Sequence, residues 1–147
     1  MKASHAVFVI GVTAALAACN QQAAVASHAA ATHESAATTR QVMLAMTVPT
    51  SNAVFAAAGE APADDAAWAL AEANAVILAE SAQMLKTGAR AVDQKNWLQF
   101  SDALIKAAEE AAHAAHDKNA EKFGGSSDAI YQTCEDCHKQ YLIAKKD

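Results

Sequence analysis

The chain has 147 residues, of which 53% are hydrophobic but only 5% aromatic, with five glycines and two prolines. This length suits one domain with a sizeable core, and abundant alanine with few aromatic and turn-forming residues favours an all-α fold over a sheet. The formal net charge is −5 with scattered basic residues, so we expect no nucleic acid partner.

An apolar run over residues 6–18 opens the chain. It is shorter than the roughly 20 apolar residues that span a bilayer, but it has the length of the apolar region of an export signal. Its end, LAAC at residues 16–19, resembles the lipobox of bacterial lipoproteins, in which the cysteine is lipidated. We therefore predict an export signal over 1–18, with a lipid anchor at Cys19 and a periplasmic location; Asn20 favours the outer membrane. The alternative is an ordinary cleaved signal with an incidental cysteine.

Residues 19–38 are rich in alanine, serine, threonine and glutamine and show no apolar period. This composition predicts a flexible tether. The tether would connect the anchor to a folded domain over residues 39–147.

The folded part begins with a helical block over residues 39–48, which Pro49 is expected to stop or kink. A short second piece is predicted from Ser51 to Ala58, with Ser51 as its N-cap and Gly59 after its end. These two pieces together make the first helical block.

The second block is predicted to open at Asp64 and Asp65, acids that suit a helix N-terminus, and to end at Gly88. Apolar residues recur at three- and four-residue spacing along one side of this block, and a second set lies on the other side. We therefore predict a helix that is buried widely. The second set comprises Leu70, Ile77 and Met84.

The third block is predicted from about Asp93 to about Lys118, with an apolar stripe at helical spacing. Gly124 and Gly125 are expected to break the chain before a fourth block, for which residues 126–128 offer capping oxygens. Four helical blocks joined by short turns predict an antiparallel four-helix bundle.

The fourth block carries the motif Cys134-x-x-Cys137-His138. A redox dithiol of the thioredoxin type needs a strand before the motif, and nothing in this sequence indicates one. Covalent haem is the favoured interpretation, because C-x-x-C-H is the attachment motif of c-type cytochromes and haem is attached outside the cytoplasmic membrane. Positions i, i+3 and i+4 share a helix face, so both thiols and the imidazole can reach one macrocycle.

A structural zinc site is the remaining alternative for this motif. Such a site needs four ligands, and His113 and His116 could join Cys134 and Cys137. The two histidines belong to a charged face that solvation explains more simply. A haem stain on a denaturing gel distinguishes the two cofactors.

A C-x-x-C-H motif near the C-terminus of a four-helix chain resembles the class II cytochromes c, the cytochrome c′ family. The resemblance rests on Cys134, Cys137 and His138, on Tyr141, and on Arg40 followed by Gln41 near the start of the first helix. It implies one haem c held by the two cysteines, with His138 as the proximal iron ligand and Arg40 in contact with a haem propionate.

The sixth iron position separates two functions within this family. A methionine ligand from the first helix makes an electron carrier, whereas an apolar residue there leaves a site for NO or CO. The family position falls on Leu44, and Met43 and Met46 lie beside it. We predict ligation by Met43, with Met46 as its substitute, although both methionines could also be core residues.

These observations predict a lipid-anchored periplasmic cytochrome that carries single electrons between membrane-associated redox proteins. No nucleophile–base pair is evident in the sequence, so we do not expect an enzyme. Many members of the family form homodimers. Alanine-rich faces on the first two blocks would suit a homodimer, and they would equally suit a haem pocket.

Overall fold

A computed structural model describes residues 35–142 of the chain. The predicted export signal, the lipidation residue Cys19 and most of the tether lie outside the described residues. Within them the chain is helical, which confirms the predicted all-α class. The four long helices are α1 (Thr39–Gly59), α2 (Asp65–Leu85), α3 (Asn96–His116) and α4 (Ala120–Tyr141).

Helix α1 begins with a reciprocal capping arrangement. The Thr38 hydroxyl accepts from the Gln41 N–H at 3.3 Å, and the Gln41 side chain accepts from the Thr38 N–H at 2.9 Å. By length and composition alone α1 could cross a membrane, with a mean hydropathy of 1.4. Core helices of soluble proteins can be equally long and apolar. In this structure α1 packs on α2 and α4.

A π-helical turn over Met43–Thr47 interrupts α1, and the Val48 N–H donates to the Met43 carbonyl. Pro49 follows this turn, and the helix continues through it to Gly59. The predicted separate piece capped by Ser51 is therefore wrong: Ser51 is buried and its hydroxyl donates to the Val48 carbonyl at 3.1 Å. Pro49 has no N–H, so one α-helical hydrogen bond is missing at this position. The π-helical turn, where the hydrogen-bond pattern of the helix changes, lies just before it.

Helix α2 starts where the sequence indicated. The Asp64 side chain accepts from the Ala67 N–H at 2.8 Å, and Gly88, at a φ of 59°, begins a short 3₁₀ turn, Gly88–Arg90, after the helix. The expectation of wide burial is wrong, because Leu70 and Ile77 are 65% and 42% exposed.

Helix α4 is longer than predicted. It starts after Asn119, whose side chain accepts from the Lys122 N–H at 3.0 Å, and it runs through both glycines. The predicted break at Gly124 and Gly125 is therefore wrong. The fully buried side chain of Phe123 fixes this segment in the core, and such tertiary packing outweighs the low helix propensity of glycine.

The core lies mainly between α2, α3 and α4, and α1 covers it by packing on α2 and α4. Alanines make up most of the buried surface of α3, which allows its neighbours to approach closely. This arrangement is compatible with a helical bundle. The fully buried large side chains of the core include Leu78, Phe123 and Ile130.

Candidate functional site

A cavity of about 190 Å³ lies among the four helices. It meets α2 and α4 near their C-terminal ends and α3 in its N-terminal half. Its wall is mostly apolar and aromatic, with a few hydroxyl and amide groups. The lining residues are Met43, Thr47, Val48, Ser51, Asn52 and Phe55 of α1, Leu85 of α2, Trp97, Phe100, Ser101 and Leu104 of α3, and Tyr131, Thr133, Cys134, Cys137 and His138 of α4.

The motif residues Cys134, Cys137 and His138 all line this cavity and are half-buried. They come together because residues three and four apart share a face of α4. Both cysteines are free thiols. The three side chains therefore offer two sulfur atoms and one imidazole to the same space.

The two thiols stay protonated at neutral pH. Burial raises the pKa of the Cys134 thiol, and burial followed by the proximity of Cys134 raises the pKa of Cys137 to about 11. Reactive dithiols and thiolate metal ligands need a lowered thiol pKa, which positive groups or helix N-termini provide. The environment of Cys134 and Cys137 thus argues against a redox dithiol.

The zinc alternative does not fit this structure. His113 and His116 are exposed near the C-terminal end of α3, whereas the cavity meets α3 no further along than Leu104. His113 lies nine positions after Leu104, which corresponds to about 13.5 Å along the helix axis. Within residues 35–142, no group of three His, Cys, Asp or Glu side chains could hold a metal ion.

The three residues of α1 considered for the sixth iron position differ in the direction they face. Met43 lines the cavity, whereas Met46 is half-buried and does not line it. Leu44 is 60% exposed. Of these three residues Met43 alone can present its side chain to the space in front of His138.

The two arginines at this end of the molecule have different environments. Arg40 is exposed in the first turn of α1 and does not line the cavity. Arg90 is only 7% exposed and donates to the carbonyls of Met84 at 2.7 Å and Ala37 at 2.8 Å, and to the Thr87 hydroxyl at 2.7 Å. This bridging role of Arg90 could not be predicted from local sequence patterns, because Ala37 lies 53 residues earlier in the chain.

A polar and aromatic cluster joins the end of α4 to the segment before α3. The Tyr141 hydroxyl donates to the Asp93 carboxylate, which also accepts from the N–H groups of Lys95 at 2.8 Å and Trp97 at 3.1 Å. These hydrogen bonds, with that of Tyr141 the largest cause, lower the pKa of Asp93. Burial, followed by the bond to Asp93, raises the pKa of Tyr141 to about 12.

The structure thus brings Cys134, Cys137, His138 and Met43 to one cavity and leaves Arg40 and Met46 outside its wall. The chain matches no protein-family model, and comparisons with curated proteins and with solved structures find no significant match. The function has to be inferred from the donor atoms, their burial and their geometry.

Proposed function

We propose that this protein is a mono-haem c-type cytochrome of the class II type, which carries single electrons between membrane-associated redox proteins. The observation that carries the proposal is that two protonated thiols, an imidazole and a thioether line one cavity: Cys134, Cys137, His138 and Met43. An export signal and a lipid anchor at Cys19 would place it in the periplasm, at the outer membrane.

The residues fit a covalently bound haem. Cys134 and Cys137 would form thioethers with the two vinyl groups, and His138 would bind the iron. Bound haem would supply a one-electron couple, and the apolar wall of the cavity would limit access of water to it. The cavity, about 190 Å³, is smaller than the roughly 300–1,000 Å³ of pockets that enclose a ligand. Part of the macrocycle edge would therefore stay at the surface, as electron exchange with a partner protein requires.

The sixth ligand is proposed to be Met43. It faces the cavity while Leu44, at the position expected for an apolar distal residue, is 60% exposed. A thioether ligand raises the reduction potential and blocks the iron to exogenous ligands. Met43 ligation therefore favours an electron carrier over a five-coordinate protein that binds NO or CO.

We also propose that the four helices form an antiparallel bundle of the cytochrome c′ type. Two of the three connections between them are short, residues 60–64 and 117–119, and the cavity is lined by the N-terminal half of α3 together with the C-terminal half of α4. Neighbouring helices that run in opposite directions explain both features.

The experiment that tests covalent attachment is a haem stain on a denaturing gel, after expression of the full chain with a haem-attachment system. Wild type is expected to stain and the double variant Cys134→Ala/Cys137→Ala is expected to lose the stain. Cys19→Ser is the matched control, because it removes the third cysteine: it should stain like wild type but leave the membrane fraction. An unstained wild-type band contradicts the proposal.

A further inference from the structure

The last turn of α4 is held to the rest of the protein by its final aromatic residue. Tyr141 donates its hydroxyl proton to the Asp93 carboxylate, and residues 93 and 141 are 48 positions apart in the chain. Its ring packs edge-to-face on Trp97, with centroids 5.0 Å apart, and on Phe100, at 6.4 Å. Tyr141 therefore makes both polar and aromatic contacts to the start of α3.

The partners of Tyr141 are themselves fixed. Asp93 accepts the N–H groups of Lys95 and Trp97, and the Trp97 indole N–H donates to the Leu85 carbonyl at 2.8 Å. The end of α4 is thus connected through α3 to the end of α2.

His138 lies one turn before Tyr141 on α4. The Leu142 N–H donates to the His138 carbonyl at 2.9 Å, so His138 belongs to the final turn of the helix. Terminal helical turns fray readily, because their last carbonyls lack intrahelical partners. Tyr141 opposes this fraying through contacts that reach outside α4, whereas the ion pairs of Lys139 with Glu135 and Asp136 stay within the helix.

We propose that Tyr141 and Asp93 are positioning residues for His138: their hydrogen bond holds the final turn of α4 and so fixes the orientation of the imidazole toward the cavity. This inference rests on the proposed function, in which His138 binds the iron. Neither residue lines the cavity, so both act through the helix that carries His138.

The test compares the full-length haem-loaded protein with Tyr141→Phe, which keeps the aromatic contacts and removes the hydroxyl. Ser126→Ala is the matched control, because it removes one hydroxyl from the same helix at a residue that does not line the cavity. The Ser126 hydroxyl donates to the Lys122 carbonyl at 3.0 Å, a hydrogen bond within α4. Two quantities are measured: amide hydrogen exchange in the last turn of α4, and the electron paramagnetic resonance spectrum of the ferric haem, whose g values report the orientation of the axial imidazole.

Tyr141→Phe is expected to keep covalent haem and to raise amide exchange at residues 139–142 roughly two- to tenfold, the effect of one lost hydrogen bond. Its paramagnetic resonance spectrum is expected to broaden or split, because the imidazole takes more than one orientation. Ser126→Ala is expected to match wild type in both measurements. In an Asp93→Ala background the Tyr141 substitution should add nothing further, because the hydrogen bond is already absent.

Faster exchange with an unchanged resonance spectrum would show that Tyr141 only stabilises the helix end, and would overturn the inference. Equal changes in Tyr141→Phe and Ser126→Ala would also overturn it. A wild-type protein without haem would instead refute the proposed function, and the inference would fail with it.

Discussion

Near the starts of α2 and α4, Trp68 packs edge-to-face on Phe123 with ring centroids 5.9 Å apart, and the space is filled. Near the ends of the same two helices, Leu85, Cys137 and His138 instead face a cavity of about 190 Å³. Helix α3 differs between these regions. Its buried residues are alanines beside Phe123, whereas Trp97 and Leu104 lie beside the cavity.

The same helices thus provide a tightly packed region at one end and a cavity at the other. The distance between packed helices depends on the side chains at the contact, so alanines allow close approach and bulky residues hold the helices apart. The alanine-rich region accordingly stabilises the fold, while the region with larger side chains leaves room for a ligand. The predictions below test this division.

The largest effect is expected in the packed region. Phe123→Ala should lower the free energy of unfolding by about 3–5 kcal/mol, because it leaves a cavity in a fully packed core. Phe100→Ala is the control beside the cavity, where the half-buried ring already borders empty space, and it should cost clearly less. Urea unfolding of the two variants measures both values. Equal losses would contradict the contrast between the two regions.

A smaller loss of stability is expected when Arg90, the buried arginine near the cavity, is replaced. Arg90→Met should lower the free energy of unfolding by about 2 kcal/mol, because it removes charged hydrogen bonds to the half-buried carbonyls of Met84 and Ala37. Arg40→Met, on an exposed arginine, should change it by less than about 0.5 kcal/mol. Thermal unfolding compares the two variants, and equal effects would argue against a structural role for Arg90.

A gain in stability is expected when Gly125, which follows the buried Phe123 in α4, is replaced by alanine. A Cβ at Gly125 meets no atom within 4 Å, so Gly125→Ala should raise the free energy of unfolding by about 0.5–1 kcal/mol through helix propensity. Gly88→Ala is the control, because a φ of 59° disfavours a side chain there, and it should destabilise. Urea unfolding measures both changes. A loss in Gly125→Ala would mean that α4 does not run through the glycines.

The smallest effect concerns pH, because solvent screens a half-buried thiol. The pKa of Cys137 is raised to about 11 in the folded chain, so its contribution to stability is complete below the ordinary thiol pKa and is lost as pH rises toward 11. Haem-free protein should therefore lose stability over this range, and protein with both thioethers formed should lose less. Denaturant midpoints of haem-free and haem-loaded protein at several alkaline pH values measure the difference. If the midpoints of both forms fall equally with pH, the thiol of Cys137 has not been modified.

Local patterns predicted much of the fold. The Asp64 cap and the Gly88 turn bounded α2 correctly, because both signals act within a few residues of the helix ends. The expectation of a separate helical piece after Pro49 and that of a break at Gly124–Gly125 were wrong, because the helices continue there. There the buried side chains of Val54 and Phe123 decide the outcome, and a local propensity does not include such packing.

The site was predictable to the extent that it lies within one helix. The spacing of Cys134, Cys137 and His138 placed them on a common face, and the structure places that face at the cavity. The orientation of α1 depends on its π-helical turn, so helical spacing alone could not show that Met43 rather than Leu44 lines the cavity. The hydrogen bond between Tyr141 and Asp93 joins residues 48 positions apart, beyond the range of any helical periodicity.

Optical spectra of the purified protein, oxidised and reduced, with and without CO, decide whether Met43 binds the haem iron. Wild type and Met46→Leu are expected to contain low-spin haem that does not respond to CO, and both are compared with Met43→Leu. In Met43→Leu we expect a high-spin spectrum that shifts when CO is added, because the thioether ligand is lost. A wild-type spectrum that is already high-spin and responds to CO would contradict the account and identify a gas-binding haem protein.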